Sequence, residues 1–275
     1  MGPREACSRV ADFRLGPAAV EAGFSVQGFD SVDSTNLRAL GHARSGGADR
    51  TWFASLEQTA GRGRRGRNWV SKSGNLAATV LLSAATGQSG LANLGFVAGA
   101  ATHATLAEVL GTHSSVLKLK WPNDVLFDGQ KTVGILIEAE SGRGRTNLAL
   151  GIGINVAHVP EGLPYQATSL RDIGVEVRAE DVFTVLSDQF AHWLTVWDQG
   201  DGLAAVLDYW RNHAAGMGER VVVRQTNGAF EGLFEKLDDE GRLIVQMDDG
   251  ERRVVTAADV FLAGITPNEA AEERV

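Results

Sequence analysis

Residues 115–155 constrain the fold more than any other part of the chain. "SVLKLKWPNDVLFDGQKTVGILIEAE" reads as a strand, a turn at Pro122-Asn123-Asp124, a short strand, a hairpin at Asp128-Gly129 and a third strand, and "TNLALGIGINV" adds a fourth. The joints are turns, too short to hold a crossover helix, so successive strands must pair antiparallel. Upstream, "TWFASLEQ" and "NLAATVLLS" are further strand-like runs. "SGLANLGFVAGAATHATLAEVLG" predicts one long apolar helix ended by Gly111, and helices are also expected at 179–197 and 202–213. Ser34 and Thr35 are capping candidates for a helix running to the Gly46-Gly47 stop, and residues 1–25 read as a lead-in with one short helix. Helices and strands do not alternate strictly, so the expected class is α+β with a mixed or largely antiparallel sheet and flanking helices.

From about Met217 the texture changes. Short β-branched runs separated by Asn227-Gly228, Glu240-Gly241 and Asp249-Gly250 predict a small all-β barrel. The expected division is 1–215, 216–265 and a disordered tail, 266–275.

A chain of 275 residues with 44% apolar and 22% charged residues has enough apolar content for a packed core. Its formal charge of -8 argues against a protein that coats nucleic acid nonspecifically, while leaving room for a local basic pocket. Cys7 is the only cysteine, which excludes a disulfide framework or a multi-cysteine zinc site within one chain, and the six histidines show no tight metal-ligand spacing. No structural metal is expected. No run approaches the ~20 apolar residues of a membrane span, and the charged N-terminus has no signal core. A cytoplasmic protein without membrane attachment is expected.

Against that acidic background, "QTAGRGRRGRNW" places four arginines and three glycines within residues 61–67. Gly61-x-Gly63-x-x-Gly66 has the dinucleotide spacing, but the next element is strand-like and no helix opens to receive a pyrophosphate, so the match is accidental. An RGG-like nucleic-acid segment, an ordinary solvated turn such as "SGRGR" at 141–145, and a phosphate clamp remain open from these residues alone. Always-charged guanidinium groups suit phosphate oxygens, and the glycines let backbone approach and fold over a ligand. The company of Lys118, Lys120, Asn123, Asp124, Lys131 and Asn155 at strand ends and turns favours the clamp.

Together "STN" at 34–36, "QTAGRGRRGRNW", "KWPND", "KTVGILIE" and "GIGINV" resemble the biotin–protein ligases in order and rough spacing. The resemblance covers residues 30–160, and the β module extends it to about 264. It implies a class II synthetase-like catalytic domain with a small SH3-like barrel. It also implies ATP-dependent conversion of biotin to biotinyl-5′-AMP, with Mg²⁺, and transfer to a lysine of a biotin carboxyl carrier domain of an acyl-CoA carboxylase.

Carried over position by position, Ser34, Thr35 and Asn36 border biotin, Gln58 bonds its ureido ring, and Gly61, Arg62 and Gly63 supply adjacent backbone. Arg64 retains the adenylate, Arg67 touches phosphate, and Trp69 packs on the adenine side once the loop closes. Lys131 contacts the biotin carboxyl and α-phosphate as the main electrostatic catalyst. Asn123 and Asp124 place phosphate, Mg²⁺ or the incoming lysine, Lys120 supports their turn, and Asn155 meets the adenine. Thr132 stands where an apolar residue is expected.

About thirty residues precede "DSTN", against the ~60 of a helix-turn-helix domain with its linker, so a monofunctional ligase without DNA binding is expected. Homodimerisation through a sheet edge is compatible with the resemblance. The rival readings are a lipoate–protein ligase of the same fold and a nonenzymatic nucleotide- or nucleic-acid-binding module. An octanoyltransferase would need a cysteine nucleophile, and Cys7 lies outside every motif.

Overall fold

The computed structural model describes residues 11–262, apart from 143, 164, 226 and 227. Cys7, Arg143 of the 141–145 turn, Asn227 and the tail 266–275 lie outside the described residues.

Seven strands form the first sheet: β1 (Ser25–Phe29), β2 (Thr51–Ser55), β3 (Leu76–Ala85), β4 (Leu117–Lys120), β5 (Asp124–Phe127), β6 (Gln130–Gly142) and β7 (Arg145–Ile154), in the order β1-β2-β3-β7-β6-β5-β4. β1 and β2 are parallel, and every other neighbouring pair is antiparallel. The sheet is therefore mixed, as expected. The β5–β6 turn at Asp128-Gly129 has positive φ at both positions (46° and 75°), the geometry that makes glycine favourable there.

The two faces of the sheet follow from the two-residue period of a strand. In β7, Leu148, Leu150, Ile152 and Ile154 join the main core cluster. The alternate residues Ala149, Gly151 and Gly153 are small and turn to the opposite face. β6 repeats the pattern, with Val133 and Ile135 in the core and Gly134 opposite. On the core face lie α3 (Leu94–Leu110), α4 (Ala179–Trp197) and α5 (Leu203–His213). On the other face α2 (Thr35–Arg44) packs Ala39 and Leu40 on Phe53, Leu81 and Ala149, covering only part of it. The uncovered part is the glycine-paved area.

α3 is buried on nearly every side, which is why its sequence is apolar all round. Leu91–Val116, which contains it, is the one described segment long and apolar enough to cross a bilayer by composition, and it is mostly buried in the protein. The short helix of the lead-in is α1 (Pro17–Glu21). Ala19 N–H donates to Asp188 Oδ1 of α4 at 2.9 Å, and Gly16 N–H to Ser187 Oγ at 2.9 Å.

The second sheet is antiparallel, with β8 (Arg220–Gln225), β9 (Gly228–Leu237), β10 (Leu243–Gln246), β11 (Arg252–Val255) and β12 (Asp259–Leu262) in the order β11-β10-β9-β8-β12. It is the small SH3-like module expected. Val221, Phe234, Leu243 and Val260 join the same core cluster as the first sheet, so the two units share packing. Trp121 Nε1–H donates to Gly241 O at 3.0 Å, and Arg211 reaches Leu237 O and Asp238 O at 3.1 and 2.8 Å. The first bond fixes the module against the turn that carries Asn123 and Asp124, and the other two fix it against α5.

His103 of α3 ties the helix layer to β4. Its ring nitrogens lie 2.8 Å from Tyr209 Oη and 3.3 Å from Leu117 O, and burial pushes its pKa down to about 4. The unfolded chain therefore takes up this proton near pH 6.5, while the folded chain resists it to about pH 4. Stability is lost as pH falls through that window. Between pH 6.5 and 5 the wild type should lose about 2 kcal/mol more than a His103→Gln variant, measured by urea denaturation at each pH.

Candidate active site

A cavity of about 630 Å³ opens on the glycine-paved face. Gly134 and Gly153 carry the ring of Trp69: a Cβ on Gly153 would stand 2.5 Å from Trp69 Nε1, and one on Gly134 2.8 Å from Trp69 Cζ3. A Cβ on Gly151 would strike Asn36 Oδ1. The glycines are there because flat groups lie directly on the backbone.

One end of the cavity is polar and closely bonded. Ser34 is the N-cap residue of α2 but makes no side-chain capping bond. Gln58 satisfies the free donor instead, its Oε1 accepting Thr35 N–H at 2.8 Å and Thr35 Oγ1–H at 3.0 Å. That leaves Gln58 Nε2 as a donor beside Gly61, where a Cβ would come within 2.8 Å of it. Thr79 Oγ1 lies 2.7 Å from Thr35 Oγ1 and 2.6 Å from Asn36 Oδ1. Asn36 Nδ2–H donates to Glu138 Oε2 at 2.8 Å, and Arg62 Nη2–H reaches the same oxygen at 3.1 Å.

The arginine-glycine stretch folds into a small hairpin. Gly63 N–H donates to Arg67 O at 2.7 Å and Trp69 N–H to Gly61 O at 3.0 Å, with a tight turn at Arg64–Gly66. Arg65 and Gly66 hold left-handed φ values of 56° and 74° at this tip. The tip meets the second sheet. Arg65 Nη1 lies 2.9 Å from Asp259 Oδ2, while Arg67 Nη2 and Arg64 Nη1 lie 3.3 and 3.9 Å from Asp259 Oδ1. Arg64 also donates to Asn123 Oδ1 at 3.0 Å and to Ala258 O at 3.3 Å. Burial disfavours its charge, and Asp259 and Asp124 oppose that effect.

Lys131 sits at a β-bulge. The register passes from Val125↔Val133 to Leu126↔Lys131, making Thr132 the extra residue. Thr132 is fully buried, as suits a position where an apolar residue was expected. The bulge places Lys131 on the cavity wall, its Nζ 2.7 Å from Asp124 Oδ1 and between the rings of Trp69 and Tyr165, at 5.6 and 5.3 Å. Lys120 Nζ lies 3.9 Å from Asp124 Oδ2 and 5.8 Å from the Phe261 ring. Burial lowers the Lys120 pKa, only partly offset by Asp124.

Of the residues singled out from sequence, Ser34, Thr35, Asn36, Gln58, Arg62, Gly63, Arg64, Arg67, Trp69, Asn123, Asp124 and Lys131 all line the cavity. Gly61 is outside the lining, its carbonyl accepting Trp69 N–H and its Cα beside Gln58. Asn155 is outside the lining: its buried Nδ2–H donates to Thr168 O at 3.3 Å, and its N–H to Thr132 O at 2.9 Å, bracing the bulge. Sequence reasoning missed Asp259, Glu138 and Tyr165. Among the described residues no cluster of three or more His, Cys, Asp or Glu could hold a metal. Asp124 alone fits a Mg²⁺ ion completed by phosphate oxygens and water.

Residues 28–155 match the Biotin/lipoate A/B protein ligase family, and residues 216–263 match the Biotin protein ligase C terminal domain. The chain is 38% identical over 240 residues to the biotin–[acetyl-CoA-carboxylase] ligase of Paracoccus denitrificans, covering 85% of this chain and 98% of that protein. It is 30% identical to the bifunctional ligase/repressor of Bacillus subtilis, over 83% of this chain and 71% of that protein. Biotin protein ligase from Aquifex aeolicus, solved in complex with biotin and ATP, superposes with a TM-score of 0.74 at 25% identity, covering 87% of this chain and 99% of that one. With such identity across almost the whole Paracoccus protein, and both matched segments in order, the chain belongs to the biotin protein ligase family.

Proposed function

We propose that this chain condenses biotin with ATP to biotinyl-5′-AMP and pyrophosphate, then transfers the biotinyl group to a lysine of a biotin carboxyl carrier domain. The observation that carries this reading is the continuity of one cavity from the polar end around Gln58 to the cationic end at Lys131 and Arg64. The Paracoccus relative's name and the Aquifex complex with biotin and ATP supply the ligand classes. In this reading residues 1–215 form the catalytic unit and 216–265 the module that fastens its hairpin.

At the polar end, Gln58 Nε2 offers donors to a ureido carbonyl, Thr35 and Asn36 hold Gln58 and the wall in place, and Ser34 borders them. The glycine floor receives the fused bicycle, whose planar part is the ureido ring, under Trp69. Lys131 faces both the biotin carboxylate and the α-phosphate, and its charge offsets the repulsion of two anions. A carboxylate oxygen attacks the α-phosphorus as the bond to pyrophosphate breaks. Arg64 and Arg67 hold phosphate oxygens, with Asn123 positioning Arg64. When bound with ATP, Mg²⁺ at Asp124 would neutralise phosphate charge. In the second half-reaction the carrier amine attacks the acyl carbon, AMP leaves, and the amine gives up a proton.

A lipoate ligase would use the same cationic end. The Gln58 Nε2 donor favours biotin, because an apolar dithiolane would leave that group without a partner.

Purified protein with Mg²⁺ should catalyse pyrophosphate exchange into ATP that depends on biotin and not on lipoate or octanoate. Exchange with lipoate alone would move the chain to the lipoate branch, and no exchange from folded protein would overturn the enzyme reading. Lys131→Ala should lower this exchange by about 10²–10³-fold without a comparable fall in Tm. Asp259→Asn should loosen the hairpin tip. The adenylate should then escape about tenfold faster, read as excess pyrophosphate formed per carrier labelled.

A further inference from the structure

Glu138 closes the "KTVGILIE" segment but has no role in the site as read from sequence, and it does not line the cavity. It stands on β6 two pleats beyond Gly134, on the same face of the sheet. Leu136 between them lines the cavity, and Glu140 beyond pairs with Arg44 in the open. A carboxylate on this face is costly unless it is bonded, and Glu138 is bonded twice through one oxygen. Asn36 Nδ2–H reaches it at 2.8 Å from α2, and Arg62 Nη2–H at 3.1 Å from the base of the hairpin.

We infer that Glu138 is a positioning residue for the biotin end of the site, acting through Asn36 and Arg62. Because an ionised carboxylate only accepts, Asn36 must turn its Nδ2 toward Glu138 and its Oδ1 toward Thr79. Thr79 then gives its one hydroxyl proton to Asn36 Oδ1, and Gln58 Oε1 is held separately by the Thr35 N–H at 2.8 Å. The Asn36 and Gln58 amides then each have one orientation, and Gln58 keeps its nitrogen for the ligand. The second bond does different work. Arg62 pairs with Asn68 across the hairpin, so fastening Arg62 fastens the base of the strand pair that ends at Trp69. Asp259 holds the tip and Glu138 holds the base.

The inference rests on the proposed biotin reading, and its test has one arm that does not. Glu138→Gln and Glu138→Ala should raise the KM for biotin about five- to tenfold, with kcat and the KM for ATP within about twofold of wild type. Arg62→Ala should give a similar rise, and combining it with Glu138→Ala should add little, since the two changes remove the same contact. Trypsin should cut after the hairpin arginines several-fold faster in the Glu138 variants at unchanged Tm, with or without biotin. Glu140→Gln, on the same face but paired only with Arg44, should match wild type in every measurement.

Glu138 variants with wild-type biotin KM and wild-type cleavage would overturn the inference. A uniform loss of kcat and both KM values with a lowered Tm would also overturn it, marking a merely structural carboxylate. Full additivity with Arg62→Ala would overturn the coupling through Arg62. If the wild type shows no biotin-dependent exchange, the functional reading fails first. The trypsin arm then decides whether Glu138 fastens the hairpin.

Discussion

Among the described residues, seven basic side chains line one cavity in a protein whose formal charge is -8, and only Asp124 and Asp259 stand among them as carboxylates. Like charges this close repel, and burial removes the water that would screen them. The two carboxylates make the arrangement tolerable before any ligand arrives. Asp124 lies 2.7 Å from Lys131, and Asp259 lies 2.9 to 3.9 Å from three arginines of one hairpin. The remaining positive charge is what an approaching triphosphate meets. Because Asp259 belongs to β12 and the arginines to the first unit, the balance of charge also fixes where the second sheet docks.

The sheet serves both the core and the site by alternation. Leu148, Leu150, Ile152 and Ile154 support the helices on one face, while Gly151 and Gly153 leave the backbone bare on the other. The sequence "LALGIGI" carries this as large and small residues in strict turn, a pattern within the segment read only as a fourth strand. The strands, the Asp128-Gly129 turn and the long apolar helix were also readable, because each depends on neighbours within a few residues. The bulge at Thr132 was not readable in the same way. It showed only as an apolar position filled by threonine.

What the sequence concealed lies in partners far apart along the chain. Arg62 and Glu138 are 76 residues apart, and Arg65 and Asp259 are 194 apart. Glu138 is followed by Ala139 and Glu140, a pattern that reads as a solvated strand end, and "ERRVVTAADVF" reads as an ordinary charged surface. Asn155 is the opposite case. The resemblance implied a contact with adenine, and in the structure its amide braces the segment that follows β7 and its backbone N–H the bulge behind Lys131. A short polar side chain at a strand end has backbone groups within reach on every side, so bracing is the common use of such a position.

Trp69 connects these threads. Its ring rests on Gly134 and Gly153, and neither glycine leaves space for a second flat group beneath it. A bicyclic ligand on the same floor therefore has to lift the indole. The lift is constrained, because Trp69 N–H is bonded to Gly61 O inside a hairpin held at its base by Glu138 and at its tip by Asp259. Lys131 follows the same geometry, since its ammonium lies against the Trp69 ring while paired with Asp124. The floor, the ring and the catalytic charge therefore share one contact, and the Trp69 ring that covers Gly134 and Gly153 also shields the ammonium paired with Asp124.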